Sequence, residues 1–180
     1  MALPGPEAEF GVMVRSGCTR LSKKRGFTMA DYDILCEQME SLAESDHWFL
    51  PVLANASALL YTQLPRLNWA GFYLRRGDEL ILGPFQGQPA CVRIPFGKGV
   101  CGTAAMLDKT QRVADVHQFP GHIACDSASN SEIVIPLHDQ TGRLCGVMDI
   151  DSPEKNRFSA EDQKGLEKFA RILERCMEFD

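Results

Sequence analysis

The sequence lacks any run of roughly 18 consecutive apolar residues, the length that a membrane-spanning helix requires. Its first residues, Met1 to Glu7, contain neither the basic nor the apolar segment of a secretory signal peptide. Positive charge is scarce as well: 19 Lys and Arg face 24 Asp and Glu, which gives a net charge of −5, and the longest basic run is residues 23–25. We therefore expect a cytoplasmic protein that binds neither a membrane nor nucleic acid.

The composition is also without the bias of a disordered or fibrous chain. Hydrophobic residues make up 44% and charged residues 24% of the 180 positions, close to the average of globular proteins. A chain of this length forms one domain and is too short for two ordinary catalytic domains. Residues 1–28 carry prolines and glycines without a sustained hydrophobic period. We expect them to form a loosely ordered N-terminal extension, followed by a single domain over residues 29–180.

Hydrophobic periodicity predicts helices at both ends of this domain. One begins after Thr28 as its N-cap, a second covers residues 47–64, and the capping-box sequence Ser159-Ala-Glu-Asp162 begins a C-terminal helix. Between them we expect a short helix and six strands. The helix is at 99–108 and the strands are at 67–75, 79–84, 91–96, 111–114, 131–138 and 144–151. Helices that bracket antiparallel strands predict an α+β fold, with the first two helices on one face of the sheet.

Structural disulfides are not expected, because seven cysteines are an odd number in a chain large enough to fold without them. No two of these cysteines form a C-x-x-C pair, which disfavours a zinc ribbon. A zinc site built from dispersed thiols and a histidine is an alternative. Its ligands would be Cys91, Cys101 and Cys125 with His117 or His122. We nevertheless expect no metal ion and no other cofactor.

Three of the cysteines lie where a thiol can react. Cys125 is in an irregular polar loop, residues 120–130, and Cys91 lies at a boundary between predicted elements. Cys101 enters a short helix from a glycine-rich stretch, where the positive end of the helix dipole can lower the pKa of a thiol. The other cysteines of the domain are expected to pack as small hydrophobic residues; they are Cys36, Cys145 and Cys176.

Acidic residues form a second group of candidates. Alternation along the last strand places Cys145, Asp149 and Asp151 on one face, and Glu132 on the preceding strand could join them across a hairpin. Like charges at the end of an apolar strand are costly unless they face water or a polar ligand. The carboxylates therefore either bind a ligand or end their strands in solvent.

Aromatic residues on the first strand form a third group. Trp69 and Tyr73 share one face of this strand, and Gly71 between them leaves that face open for a ligand. The alternative is that both rings pack in the hydrophobic core, which is the more common position of aromatic residues on a central strand.

Six ordered sequence blocks are together far more specific than any single motif. They are Asn68-Trp-Ala-Gly-Phe-Tyr73, Leu82-Gly-Pro-Phe-Gln-Gly87, Gly97-Lys-Gly-Val-Cys-Gly-Thr-Ala104, Phe119-Pro-Gly-His-Ile-Ala-Cys125, Ser131-Glu-Ile-Val-Ile-Pro136 and Gly146-Val-Met-Asp-Ile-Asp-Ser152. In this combination the chain resembles the free methionine-(R)-sulfoxide reductases, which are single GAF-domain enzymes. The resemblance covers roughly residues 29–178. It implies an antiparallel sheet of about six strands, with the terminal helices on one face and the ligand pocket on the other.

The resemblance also implies an activity and its residues. The protein would reduce the R epimer of free methionine sulfoxide, and thioredoxin or a similar dithiol would recycle it; a homodimer is compatible with the sequence. In the family pattern Cys125 is the nucleophile, Cys91 is the resolving thiol and Cys101 has an auxiliary part. The family's acidic positions fall on Glu132, Asp149 and Asp151, and its aromatic pocket falls on Trp69 and Tyr73.

Two other classes of function compete with this interpretation. GAF domains also serve as non-catalytic modules that bind small molecules or sense redox state, and fold alone does not decide between the two. The set of cysteines and carboxylates favours the enzyme, because a sensor has no need of them. A zinc-dependent hydrolase is the third class, and it would require a metal ion.

Overall fold

The computed structural model describes residues 31–121 and 127–179. Within these ranges the chain forms four α-helices and a six-stranded antiparallel sheet, as the predicted α+β fold requires. The helices are α1 (Tyr32–Ala43), α2 (Phe49–Gln63), α3 (Gly99–Leu107) and α4 (Ala160–Cys176). The strands are β1 (Trp69–Arg76), β2 (Glu79–Gly87), β3 (Arg93–Pro95), β4 (Gln111–Val113), β5 (Ser131–His138) and β6 (Leu144–Ser152), in the spatial order β3-β2-β1-β6-β5-β4.

The two terminal helices begin at side-chain caps. The predicted capping box of α4 is confirmed: Ser159 accepts from the backbone N–H of Asp162, and the Asp162 carboxylate accepts from the backbone N–H of Ser159. Asp31 is the N-cap of α1, its Oδ1 accepting from Ile34 N at 3.2 Å, so the prediction of Thr28 in this role is wrong. The predicted extension over residues 1–28 lies outside the described residues. No helix in the described ranges is long and apolar enough to cross a bilayer.

The sheet has two different faces. Helices α1, α2 and α4 cover one of them, where side chains such as Leu53 and Phe169 pack against Phe72 and Met148 from the strands. Each of these side chains is fully buried, and burial of a side chain this large contributes about 1.5–3 kcal/mol to stability. The predicted placement of the first two helices is therefore confirmed. Helix α3 packs against the opposite face, where Val100 and Ala104 join a second, smaller apolar cluster with Trp69 and Tyr73.

A β-bulge near the start of β6 places Cys145 on the face of the sheet opposite to the predicted one. Leu137 pairs with Gly146 but His138 pairs with Leu144, so Cys145 is an extra residue in the ladder. Its side chain packs with the core on the helix-covered face, and its Sγ donates to the carbonyl oxygen of Leu137 at 3.3 Å. The prediction that Cys145 shares a face with Asp149 and Asp151 is wrong, because the alternation of a strand shifts by one residue at a bulge.

The imidazole of His138, at the end of β5, links two other elements. Its Nδ1 lies 2.9 Å from Glu174 on α4, and its Nε2 lies 2.8 Å from Asp108 at the end of α3. Burial alone lowers the pKa of His138, but the hydrogen bonds to Glu174 and Asp108 outweigh it and raise this pKa above 6.5. His138 therefore links the end of β5 to both helices.

Replacing His138 by glutamine is expected to reduce stability mainly at low pH. Because the pKa of His138 is raised by folding, its contribution is fully present below the unfolded pKa of about 6.5 and is lost as the pH rises through the folded value. The pairs are partly exposed, so we expect a loss of about 1 kcal/mol near pH ~5.5 and much less near pH ~9. Urea unfolding at the two pH values measures the difference. A loss that does not change with pH would contradict this assignment.

Candidate active site

Strand register places the predicted acidic and aromatic residues in one group. Glu132 on β5 lies opposite Asp151 on β6, which in turn lies opposite Trp69 on β1. Asp149 pairs with Gly71, two positions along the same ladder, so its side chain points to the same side of the sheet. This side is the one that α1, α2 and α4 leave free. The structure therefore brings together carboxylates from two strands beside an aromatic residue from a third.

Helix α3 adds the thiol of Cys101 to the carboxylates. A Cβ atom on Gly102 would overlap with the carbonyl oxygen of Pro95, so glycine allows α3 to pack closely against the end of β3. Cys101 Sγ lies 3.7 Å from Glu132 Oε1, and Cys101 Sγ and one oxygen each of Glu132 and Asp149 all lie within 4.8 Å of one another. We call these three residues the buried acid cluster. Cys101, Glu132 and Asp149 are only 4%, 6% and 5% exposed, whereas Asp151 beside them is half-buried.

Burial controls the protonation of the buried acid cluster. It raises the pKa of Glu132 well above 4.5, and the negative charges of Asp149 and Asp151 raise this pKa further. Burial also raises the pKa of Asp149. Burial therefore favours the protonated form of Glu132, which can donate a proton within this coupled pair. Asp149 Oδ1 is buried and has no hydrogen-bond partner among the described residues.

The thiol of Cys101 is not activated, contrary to the prediction from its helix terminus. Burial raises the pKa of Cys101 well above 9.0, and the adjacent carboxyl groups of Asp149 and Glu132 raise it further. These carboxylates and the loss of hydration outweigh the helix dipole, whose effect is only about 0.3–1 kcal/mol. Cys101 is therefore a neutral hydrogen-bond donor in this site rather than a nucleophile.

The aromatic residues form a stack of three rings. The Trp69 ring lies 5.9 Å from that of Tyr73 and 5.3 Å from that of Phe85, centroid to centroid, with both pairs close to parallel. Trp69 Nε1 donates to the carbonyl oxygen of Gln88 at 3.2 Å, which fixes the indole. Phe85 was not among the candidates from the sequence. No periodic signal identifies it, because the ladder between β1 and β2 shifts register next to it.

Gly71 does not leave the strand face open as predicted. Phe85 lies directly over it, so that a Cβ atom on Gly71 would overlap with the Phe85 Cβ atom and lie 2.7 Å from its Cα atom. The glycine is needed because the neighbouring strand approaches closely at the register shift, not because a ligand enters there.

Replacing Gly71 by alanine is therefore expected to destabilise the protein by about 1–3 kcal/mol, the cost of overpacking a filled site. It should also displace Phe85 from the Trp69 ring. Thermal unfolding and tryptophan fluorescence measure the two effects. Gly83→Ala on β2 is the matched control, because its added Cβ atom would lie 3.0 Å from the nearest atom, Phe72 O, and should cost less. Equal stability of both variants would contradict the close contact at Gly71.

Of the two remaining cysteine candidates, Cys91 lies within the described residues and Cys125 does not. Cys91 lies between β2 and β3, is half-buried, and packs against the same apolar cluster as Trp69 and Cys101. Cys125 and His122 lie in residues 122–126, outside the described residues. On the C-terminal side of that segment, Ser129 Oγ accepts from Asn68 Nδ2 at 2.9 Å. Ser129, four residues after Cys125, is thus held beside Asn68, the residue that precedes Trp69.

Of the two histidines in the zinc alternative, His117 lies within the described residues and His122 does not. His117 Nε2 lies 3.1 Å from Asn130 Oδ1, and its side chain is not part of the group that contains Cys101. Among the described residues, the group whose ligand atoms lie close enough to share a metal ion consists of a thiol and two carboxylates instead.

Comparison with known proteins relates this site to a family. Residues 51–178 match the GAF domain family model. The chain is 53% identical over 146 residues to the free methionine-R-sulfoxide reductase of Escherichia coli, a match that covers 81% of this chain and 88% of the relative.

Solved structures agree with this relation. The fRMsr of Staphylococcus aureus in complex with substrate superposes with a TM-score of 0.79 at 50% identity, and covers 84% of this chain and 98% of its own. The substrate complex of free methionine-R-sulfoxide reductase from Neisseria meningitidis gives a TM-score of 0.78 at 43% identity, with coverages of 83% and 92%. The predicted GAF fold is thereby confirmed, and the chain belongs to the free methionine-R-sulfoxide reductase family of GAF-domain proteins.

Proposed function

We propose that this protein reduces free L-methionine-(R)-sulfoxide to methionine on the sheet face that carries the buried acid cluster. The observation that carries this proposal is the buried acid cluster beside an aromatic stack: Glu132, whose pKa is raised by burial, lies on the same sheet face as Trp69. The substrate is a small zwitterion with a sulfoxide and an S-methyl group. The site offers a proton donor for the sulfoxide oxygen, carboxylates for the ammonium group and rings for the methyl group.

Glu132 is the acid of the reaction. A sulfoxide sulfur becomes electrophilic when its oxygen is protonated or strongly hydrogen-bonded, so attack by a thiolate requires a proton donor at that oxygen. Glu132 suits this role because burial and the two neighbouring carboxylates, Asp149 and Asp151, raise its pKa. The Cys101 thiol, 3.7 Å from Glu132 Oε1, donates to this carboxyl and helps to orient it. This is the auxiliary part that we assign to Cys101.

Cys125 supplies the nucleophile. Its thiolate attacks the substrate sulfur and forms a sulfur–sulfur bond while Glu132 protonates the oxygen. The oxygen then passes to Cys125 as a sulfenic acid, as the sulfur–sulfur bond and the sulfur–oxygen bond of the substrate both break. Methionine leaves with the electron pair on its sulfur. Cys91 then attacks the sulfenic sulfur, which forms a Cys91–Cys125 disulfide and releases water. Thioredoxin or a similar dithiol reduces the disulfide by exchange.

The remaining side chains position the substrate. Trp69 contacts the S-methyl group, a sulfur–aromatic interaction of about 1 kcal/mol. Asp149 and the half-buried Asp151 hold the ammonium group, which gives Asp149 Oδ1 the partner that it lacks. A site that encloses the ammonium group in this way leaves no exit for a flanking peptide bond.

N-acetyl-methionine-(R)-sulfoxide is therefore expected to be a much poorer substrate than the free amino acid. Acetylation removes the positive charge and adds bulk next to Asp149 and Asp151, which leaves a buried carboxylate without its partner. This should lower kcat/KM by about 100-fold or more. Steady-state kinetics with both compounds measure the ratio. Similar kcat/KM values would rule out an enclosed site that reads the ammonium charge.

A coupled thioredoxin assay tests the proposed function as a whole. We expect turnover of free L-methionine-(R)-sulfoxide, and little or none of the S epimer or of an R-sulfoxide within a peptide. Turnover of the peptide would contradict the selectivity. Absence of turnover with either free epimer, combined with binding of the free compound, would instead support the non-catalytic GAF module.

A further inference from the structure

We propose that the buried acid cluster is also a binding site for a thiophilic divalent cation such as Zn²⁺, which occupies it in competition with the substrate. The ligands are Cys101, Glu132 and Asp149. Catalysis does not need this metal ion; it inhibits the enzyme. The metal site stands on the geometry alone, whereas the inhibition rests on the proposed function.

The distances within the cluster fit a tetrahedral ion. Zinc binds thiolate sulfur at about 2.3 Å and carboxylate oxygen at about 2.0 Å, so sulfur and oxygen ligands of one tetrahedral zinc ion lie about 3.5 Å apart. Cys101 Sγ and Glu132 Oε1 are 3.7 Å apart, and the Asp149 oxygen lies within 4.8 Å of both. Small rotations of the carboxylates would complete a three-ligand site, with the fourth position left for water.

A second observation points to a positively charged ligand. Asp149 is 5% exposed, and its Oδ1 has no hydrogen-bond partner among the described residues. A buried carboxylate oxygen without a partner is costly, and it is satisfied by a donor group or by a cation. The substrate ammonium can fill this place during turnover. In the absence of substrate, a divalent cation can fill it.

The chemistry of the three groups favours a thiophilic ion over Mg²⁺ or Ca²⁺. One sulfur and two oxygen donors suit zinc, whereas the hard cations prefer oxygen alone. Binding requires a deprotonated thiol, so the ion displaces the proton of Cys101 into solvent. The bound ion occupies Glu132 and Asp149, the carboxyl groups that the substrate uses in the proposed function. This shared occupancy predicts inhibition that substrate reverses.

Cobalt(II) titration of the reduced full-length protein tests the site without turnover, because a thiolate–cobalt bond gives an intense charge-transfer band in the near ultraviolet. We expect one equivalent of Co²⁺ to produce the band, and Zn²⁺ to abolish it by displacement. Cys101→Ser should lose the band. The matched control is Cys145→Ser on the opposite face, which should keep the band because its hydroxyl can still donate to Leu137 O. Circular dichroism verifies the fold of both variants.

Two further measurements complete the test. Glu132→Gln should weaken Zn²⁺ affinity by at least the 10–100-fold seen when even an outer-shell partner is lost. Zn²⁺ should raise the apparent KM of the reductase with kcat unchanged.

Absence of a band, or a band that survives in Cys101→Ser, would overturn the metal site. A Cys101-dependent band without competition by substrate would overturn the inhibition. A protein that binds Co²⁺ as expected but lacks reductase activity would contradict the proposed function and leave the metal site established.

Discussion

Replacing Cys125 by serine is expected to abolish reduction of methionine sulfoxide, even in a single turnover. A serine hydroxyl is almost fully protonated at neutral pH and is a far weaker nucleophile than a thiolate, so no sulfenic acid can form. Rapid-quench measurement of methionine released by the reduced enzyme gives the result directly. Methionine release from this variant at a rate near that of the parent protein would exclude Cys125 as the nucleophile.

Cys91→Ser is the matched control for this experiment. It removes the other thiol of the proposed disulfide but leaves the nucleophile in place. We expect it to release one equivalent of methionine and then to stop, because thioredoxin has no disulfide to reduce. Normal cycling of this variant with thioredoxin would assign resolution to Cys101 instead.

Replacing Glu132 by glutamine is expected to lower kcat/KM by about 10²–10⁴-fold, the range typical of a lost general acid. Glutamine preserves the shape of the side chain but cannot transfer a proton to the sulfoxide oxygen. Steady-state kinetics measure the loss. Glu79→Gln is the matched control, because it makes the same substitution at an exposed carboxylate that pairs with Arg93, and it should leave the rate unchanged.

Glu132→Gln should lower the rate but raise the stability of the protein at alkaline pH. The pKa of Glu132 is raised by folding, so its neutral form is favoured in the folded state; stability is highest below the unfolded pKa and falls as the pH rises through the folded value. Glutamine cannot ionise and avoids this loss. Glu132→Gln should therefore be as stable as the parent protein near pH ~5 and more stable near pH ~9. Loss of stability at alkaline pH together with loss of rate would indicate a structural role instead.

Local patterns predicted most of the secondary structure because each element depends on its own residues. The strand at 131–138 and the capping box at Ser159 were predicted with their observed bounds. The predicted strand 91–96 was too long, since only Arg93–Pro95 pair with a neighbour. The wrong N-cap, Thr28, follows from the same limitation: several residues can cap a helix, and the packing of α1 selects Asp31.

Tertiary contacts explain what local patterns could not predict in the site. Whether Gly71 lies open or covered depends on the register of β2, which places Phe85 over it. The pKa of Cys101 is raised by burial and by the carboxyl groups of Asp149 and Glu132 on other elements, and these effects outweigh that of its own helix terminus. Strand alternation correctly predicted that Asp149 and Asp151 share a face with Glu132. The ladder is regular between these residues, because the bulge at Cys145 lies near the start of β6.

The most direct test of the account is the product of one turnover in the absence of any external reductant. The reduced protein is mixed with excess free L-methionine-(R)-sulfoxide, methionine is quantified, and the protein is mapped by mass spectrometry of its peptides. We predict one methionine released per chain, one disulfide that joins Cys91 to Cys125, and an unmodified thiol at Cys101. Absence of methionine, or methionine released with Cys125 still a free thiol, would contradict the account.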